Sequence, residues 1–340
     1  MRKYITLGIG HGINDCIAGF IIGSLFYRHY APLQLGVFTL LYNILAFGGQ
    51  LAIARLVEIY FLPKKYLLIT FALLLFSLLF LNLAPQLAIL FSGIASALFH
   101  VTGGMEATRS DHRSIGIGIF ASPGIVGLIA GGWLAYIHFN FIPVAVVLCV
   151  AFILAVLFFY KSNTISLNEA REQSTLEKHD LVMCILITVI SLRSCVWDIV
   201  QLMQQGNYVW LMIIAIAAMC GKIAGGVLAD KIGHKRYTLF ALLLSIPFLT
   251  IFKKYLLSLC IGVFLLQSTI PATTVMILQQ VKRRPGVAIS LSFGVSVFIA
   301  IMLFYSPLVK YMNSNITVIG ILMVSGILLW WYGRVRKQGV

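Results

Sequence analysis

Apolar segments of about twenty residues follow one another almost without interruption from residue 4 to residue 333. At a rise of ~1.5 Å per residue, a helix of that length crosses the ~30 Å hydrocarbon core of a bilayer. Only helices and closed barrels satisfy their backbone polar groups there. Twelve spans are predicted, at 4–28, 34–57, 64–83, 86–108, 114–137, 141–160, 180–203, 207–229, 236–252, 256–280, 286–309 and 315–333. Composition agrees, since 60% of the residues are hydrophobic and 10% charged, against about 25% charged in soluble domains. The chain therefore reads as an all-α membrane protein, and a soluble enzyme or a disordered chain is excluded.

The formal net charge is +15. With the N-terminus inside, 19 basic residues fall on inside segments and four, Arg28, Lys253, Lys254 and Lys310, fall outside. That asymmetry follows the positive-inside rule. It predicts both termini inside and an even number of spans, and it explains the basic excess without a nucleic-acid partner. The first span reads as uncleaved, because it is too long for a signal peptide. Short loops favour a bacterial cytoplasmic membrane. The six cysteines are scattered through apolar segments, form no C-x-x-C and read as small buried hydrophobes.

The halves of the chain resemble each other. Residues 116–130 align without gaps on 286–300, with identities at Gly116/Gly286, Ile119/Ile289, Ser122/Ser292, Gly124/Gly294, Ile129/Ile299 and Ala130/Ala300. A second match sets 221–237 against 49–66, with Asp230 facing Glu58. These pairs fall on corresponding spans of two sets of six, so a parallel six-plus-six repeat is expected. The polar stretch 161–180 reads as an inside linker between bundles at 1–160 and 181–340.

A charge at bilayer depth costs at least ~2.5 kcal/mol, so each intramembrane ionisable group needs a reason. His11 and Asp15 stand at i,i+4 on the first span and share a face with Gly19 and Gly23. His100, on the fourth span, lies ~14 Å from its inside end and His11 ~11 Å from the same side, so the two are predicted at similar depth. Glu106 and Arg109, at i,i+3, read as a boundary ion pair. On the seventh span, Arg193 and Asp198 are five residues apart, ~140° of rotation, and do not share a face. Arg193 keeps its charge and needs an acidic partner, with Asp15 the candidate, or an anionic substrate. Lys222 reads as snorkelling. Gln267 and Thr273 add polar groups to the tenth span beside Pro271. Trp197 and Tyr208 read as stacking groups or interface anchors.

Between the eighth and ninth spans stands Gly226-x-x-x-Asp230-Lys231-x-Gly233-x-Lys235-Arg236. Gly226 and Gly233 permit close approach and a tight turn. Asp230 can accept donors at a neighbouring helix N-terminus, and the cations hold the inside face. Together these groups read as a gate. In the first half Glu58 takes the acidic position and the second glycine is absent. This loop resembles the signature of the major facilitator superfamily. The resemblance covers the whole chain and implies two pseudo-symmetric six-helix bundles around a cavity that opens alternately to each side. It also implies that spans 1, 4, 7 and 10 line that cavity. His11-x-x-x-Asp15 and the Phe99-His100 of the fourth span are similar to the fosmidomycin-resistance group of exporters. Ser122-Pro123-Gly124, followed by Gly127, Gly131 and Gly132, is similar to the antiporter motif of drug exporters. Those glycines, Gly124, Gly127 and Gly131 above all, also suit tight helix packing.

The expected function is proton-coupled export of a small anionic or amphipathic molecule by a monomer. Asp15 would carry the proton, and His11 and His100 would relay it or touch substrate. Arg193 would meet the anion, with Trp197, Asp198, Gln267 and Thr273 as further substrate contacts. Export of a divalent metal on His11, Asp15 and His100 is an alternative, opposed by the charge of Arg193. Uptake by symport suits the same residues. An uncoupled lipid-handling or receptor-like protein is the alternative of another class. No H-E-x-x-H, G-x-S-x-G or paired Asp motif supports an enzyme, and no cofactor or resident metal is expected.

Overall fold

The computed structural model describes residues 2–28, 30–160, 176–281, 283–306, 309–312 and 314–337. The expected linker lies mostly outside these residues. Twelve helices follow in order. They are α1 (Arg2–Phe26), α2 (Pro32–Ile59), α3 (Pro63–Phe80), α4 (Pro85–Ala107), α5 (Arg113–Tyr136) and α6 (Ile142–Phe159). Then come α7 (Leu176–Met203), α8 (Tyr208–Ile232), α9 (His234–Leu249), α10 (Leu256–Gln280), α11 (Pro285–Phe304) and α12 (Asn315–Lys337).

Local sequence sets the boundaries. Pro32, Pro63, Pro85 and Pro285 open their helices, where the missing N–H costs nothing. Asn207 caps α8 by accepting from the Trp210 backbone N–H at 3.2 Å. Gly233, at φ +96°, turns the chain between α8 and α9 in a conformation that a side chain disfavours. Eleven of the helices are long and apolar enough to cross a membrane. The exception is α9, with 16 residues. It ends at Leu249 rather than at 252, shortly after Pro247, and its first turn is the polar His234-Lys235-Arg236. The eleventh span is also shorter than expected, ending at Phe304, and a separate turn follows at Val309–Met312.

Two apolar clusters form the cores of the two bundles. One runs from Leu7 to Tyr160 and gains Val275 from the other bundle. The second runs from Val182 to Tyr332 and takes in Ile125 and Ile129 of α5. Lipid tails are as apolar as leucine, so close packing rather than hydrophobic exclusion holds such helices together. Glycines permit that packing. A Cβ on Gly127 would strike the carbonyl oxygen of Gly12, and one on Gly131 that of Cys16, so α1 and α5 run backbone to backbone. Gly221 and Gly225 of α8 do the same against Phe264 and Ser268 of α10. Across the bundle interface, a Cβ on Gly226 would lie 2.5 Å from the Ser114 carbonyl oxygen, and one on Gly118 2.5 Å from that of Lys222.

Two helices depart from α geometry where the bundles meet. Ile44–Gly48 in α2 and Ser290–Val295 in α11 are π-helical and pack against each other. A Cβ on Gly294 would lie 2.7 Å from the Phe47 carbonyl oxygen. A π turn rotates the residues beyond it relative to an α-helix. Gly294 meets α2, whereas its repeat partner Gly124 meets α1.

Candidate functional site

His11, Asp15 and His100 converge at mid-depth of the first bundle. The His11 Nε2 atom lies 3.0 Å from His100 Nε2 and 3.1 Å from Asp15 Oδ2. The i,i+4 spacing along α1 brings the first pair together, and α4 supplies the third member. Both rings are held from behind. His11 Nδ1 donates to the Phe120 carbonyl oxygen at 2.9 Å, and His100 Nδ1 donates to that of Ser96 at 2.7 Å. Carbonyl oxygens only accept, so both Nδ1 atoms carry hydrogen. In two neutral imidazoles both Nε2 atoms are then lone pairs. They face each other and a carboxylate oxygen, and three acceptors at this spacing require a cation among them. His11 also stacks on Phe120, with ring centroids 4.8 Å apart, and abuts Phe99. Asn14 donates to the other oxygen of Asp15 at 2.8 Å. Gly124 faces the cluster, where a Cβ would come within 2.5 Å of His11 Nε2 and 2.6 Å of Asp15 Oδ2.

A second buried set lies across the bundle interface. Arg193 is 4% exposed, and its Nε and Nη1 donors have no hydrogen-bond partner. Its Nη2 reaches only the neighbouring Ser194 hydroxyl, at 3.3 Å. The expected pairing with Asp15 is not made. The side chains of Asp15 are satisfied within the first bundle, whereas the charges near Arg193 are Asp198 and Lys222. Asp198 accepts from Gln201 at 3.4 Å on one oxygen and leaves the other unpartnered. Lys222 does not snorkel. It is 7% exposed, and its Nζ donates to the Ala121 carbonyl oxygen of α5 at 2.9 Å. It stands in electrostatic range of both Asp15 and Arg193. Of the expected substrate contacts, Gln267 and Thr273 are buried, and Trp197 packs against the core of the second bundle. The Thr273 hydroxyl is committed to its own helix, donating to the carbonyls of Thr269 and Ile270.

Contacts between the bundles close both ends of this region. At the end rich in basic residues, Glu58 Oε1 accepts from the backbone N–H groups of Gly286 at 2.7 Å and Val287 at 3.1 Å. An acidic group on a neighbouring helix N-terminus was expected of Asp230. Asp230 instead lies 3.3 Å from the side chain of His234, whose Nε2 is 2.8 Å from the Ser114 hydroxyl across the interface. Lys231, Lys235 and Arg236 stand at this end on and beyond α8, with Gly226 against Ser114. Nearby, the fully buried Glu106 pairs with Arg109 at 3.0 Å, as its spacing predicted, and also with Lys3. Tyr160 donates its hydroxyl to Glu106 at 2.7 Å, and burial first and that carboxylate second push the phenol up. At the opposite end the hydroxyls of Tyr27 and Tyr208 are 3.0 Å apart, and Tyr208 stacks on Tyr136 at 4.6 Å. Nothing in the sequence separated this tyrosine latch from ordinary interface anchoring.

Two solved structures superimpose on this arrangement over nearly its whole length. A variant of the E. coli fucose:proton symporter, FucP, has a TM-score of 0.67 at 11% identity, covering 97% of this chain and 98% of that one. A FucP structure described as a major facilitator superfamily transporter in the outward conformation has a TM-score of 0.69 at 9% identity, with the same coverage. The chain has the major facilitator fold. No protein-family profile matches it, and no curated protein matches its sequence. With twelve helices in two bundles, eleven of them long and apolar enough to span, it is an integral, multi-pass membrane protein.

Within the major facilitator fold, His11, Asp15 and His100 fall on α1 and α4, Arg193 and Asp198 on α7, and Gln267 and Thr273 on α10. Those on α1, α4 and α7 fall into two sets, which Gln267 and Thr273 of α10 do not join. Asp15, His11 and His100 form one. Arg193, Asp198 and Lys222 form the other, and Lys222 links them electrostatically.

Proposed function

We propose that this protein is a secondary active transporter of the alternating-access type. It couples proton movement to the export of a small anionic or amphipathic molecule and acts as a monomer. Support for the proton comes from one observation, the meeting of His11 Nε2, His100 Nε2 and Asp15 Oδ2. With both Nδ1 atoms committed as donors, the cluster is at rest only when a proton sits among its three acceptors. Losing that proton sets two lone pairs and a carboxylate against each other, so deprotonation drives the helices carrying them to rearrange. Support for an anion comes from Arg193, whose buried and unpartnered Nε and Nη1 lack only an acceptor. The halves 1–160 and 181–340 are then the rocking units, with Glu58, Asp230 and His234 as the gate at the basic end, which faces the cytoplasm. The likeness of the α5 glycines to an antiporter motif supports export.

Uptake by symport is favoured by a different observation. Lys222 lies in electrostatic range of both Asp15 and Arg193, so protonating Asp15 removes the anion that balances Lys222 and favours an anionic substrate beside Arg193.

The test is reconstitution in liposomes holding a trapped pH dye, challenged with small organic anions, amphipathic drugs and divalent metals. Substrate-triggered proton movement is expected, and Asp15→Asn should reduce it at least about tenfold, ~1.4 kcal/mol in coupling. Protons moving against the substrate establish antiport, and protons moving with it establish symport. A protein that binds a compound but never moves protons with it would sink the coupling.

A further inference from the structure

The His11, Asp15 and His100 cluster has the donor set of a transition-metal site as well as that of a proton site. One ligand atom from each residue lies within 4.8 Å of the others. The two closest pairs are 3.0 and 3.1 Å apart. Around a tetrahedral Zn2+ with bonds of ~2.0–2.1 Å, neighbouring ligands stand ~3.3–3.4 Å apart. Both pairs that share His11 Nε2 would therefore open by a few tenths of an ångström, while the third, between His100 Nε2 and Asp15 Oδ2, which lies within 4.8 Å, would close around the ion.

The groups behind the ligands match as well. A metal-binding histidine characteristically donates its other ring N–H to a carboxylate, a backbone carbonyl or water, which fixes tautomer and ring orientation. Both histidines do this, through Phe120 and Ser96. The carboxylate is held in turn by Asn14. Gly124 backs His11 Nε2 and Asp15 Oδ2 without a side chain, where a Cβ would come within 2.5 and 2.6 Å of them. Arg193, whose charge opposed a metal at the level of sequence, makes no ion pair with Asp15. It stands near Asp198 and Lys222. The ionisable groups that face Asp15 from elsewhere are Cys16 on α1, Tyr42 on α2 and Lys222 on α8. Of these, Lys222 is the cation, and its Nζ is turned to the Ala121 carbonyl.

We propose that His11, Asp15 and His100 bind one divalent first-row transition-metal ion of the Zn2+ or Co2+ class. Two imidazoles and one carboxylate suit such ions, whereas Mg2+ and Ca2+ require oxygen ligands. The site rests on the same cluster as the proposed proton coupling, with the ion standing where the proton stands. Zn2+ therefore arrests proton movement by occupancy.

Co2+ titrated into the purified, detergent-solubilised chain reports the site through its visible absorption. One ion per chain is expected, with the intense bands of a four-coordinate centre. His100→Ala and Asp15→Asn should each weaken binding at least about tenfold, in line with loss of a ligand. His112→Ala, outside the cluster, should not. Circular dichroism shows whether the variants keep their helices. If His100→Ala unfolds, Gly124→Ala, which crowds two donor atoms while removing no ligand, serves in its place and should also weaken binding. Equal Co2+ binding by wild type and the ligand variants, or none by wild type at millimolar Co2+, overturns the site. Proton coupling without metal binding would sink this inference and leave the transport reading intact. Metal binding without proton movement would do the reverse.

Discussion

His11 and His100 meet Nε2 to Nε2 at 3.0 Å while each commits its Nδ1 hydrogen to a backbone carbonyl. Two neutral rings held that way repel, and this contact is the ground for the proposed proton between them. Both accepting carbonyls lie inside helices, where the i→i−4 ladder already engages them. Removing either ring therefore leaves no backbone acceptor stranded.

From this follows a separation of function and stability. His100→Leu should lower proton-coupled transport at least about tenfold. Its effect on stability should stay within ~2 kcal/mol, since a net hydrogen bond contributes only ~1 kcal/mol. Transport in liposomes and thermal unfolding in detergent, measured on the same preparation, check both halves. A variant that unfolds without a selective loss of transport would assign His100 to packing.

Adjacent glycines of α5 should respond in opposite ways. A Cβ on Gly131 would strike the Cys16 carbonyl oxygen, whereas one on Gly132 would meet nothing within 4 Å. Gly131→Ala should destabilise by ~1–3 kcal/mol, the cost of overpacking. Gly132→Ala should be neutral or mildly stabilising, because alanine favours the helix. Melting temperatures of the two variants decide the matter.

The gate should depend more on Glu58 than on Asp230. Glu58 accepts two backbone N–H groups across the bundle interface, and its loss leaves both donors unpaired. Asp230 pairs with His234 within its own bundle, and both side chains are about one-fifth exposed. Such a pair contributes ~0–1 kcal/mol. Glu58→Ala should shift the protein toward a state open at the basic end by about 5- to 30-fold, the range for ~1–2 kcal/mol. Asp230→Asn should shift it less. Distances between spin labels on the basic ends of α2 and α11 would report the populations.

Much of the fold was legible in the sequence, because a span announces itself by length and apolar content alone. The limits of α9 were harder to read, since the polar His234-Lys235-Arg236 belongs to the helix and the apolar residues after Leu249 do not. The π segments were invisible, because a π turn uses the same residues as an α turn. In the site, depth arithmetic set His11 and His100 at one level, and their contact agrees with it. Lys222 misled because snorkelling assumes a lipid-facing stem, whereas this one meets the Ala121 carbonyl at the bundle interface. The partner of Asp230 had a signal, the i,i+4 spacing to His234. The latch between Tyr27 and Tyr208 had none, its members standing 181 positions apart in the sequence.

That latch yields the last prediction. Tyr208 holds the end opposite the gate in two ways, by its hydroxyl contact with Tyr27 and by its stack on Tyr136. Tyr208→Phe removes only the first, and Tyr208→Ala removes both. An aromatic pair contributes ~0.5–1.5 kcal/mol beyond the area it buries, so the alanine variant should open this end more than the phenylalanine variant. The shift is opposite in direction to that of Glu58→Ala. The two sites lie at opposite ends and share no partner, so their effects should add. The double variant Glu58→Ala/Tyr208→Ala should then return toward the wild-type ratio of the two open states, at a lower melting temperature than either single variant. Label distances at both ends, measured on all four proteins, would show this. A double variant as far displaced as Glu58→Ala alone would mean that the tyrosines do not oppose the gate.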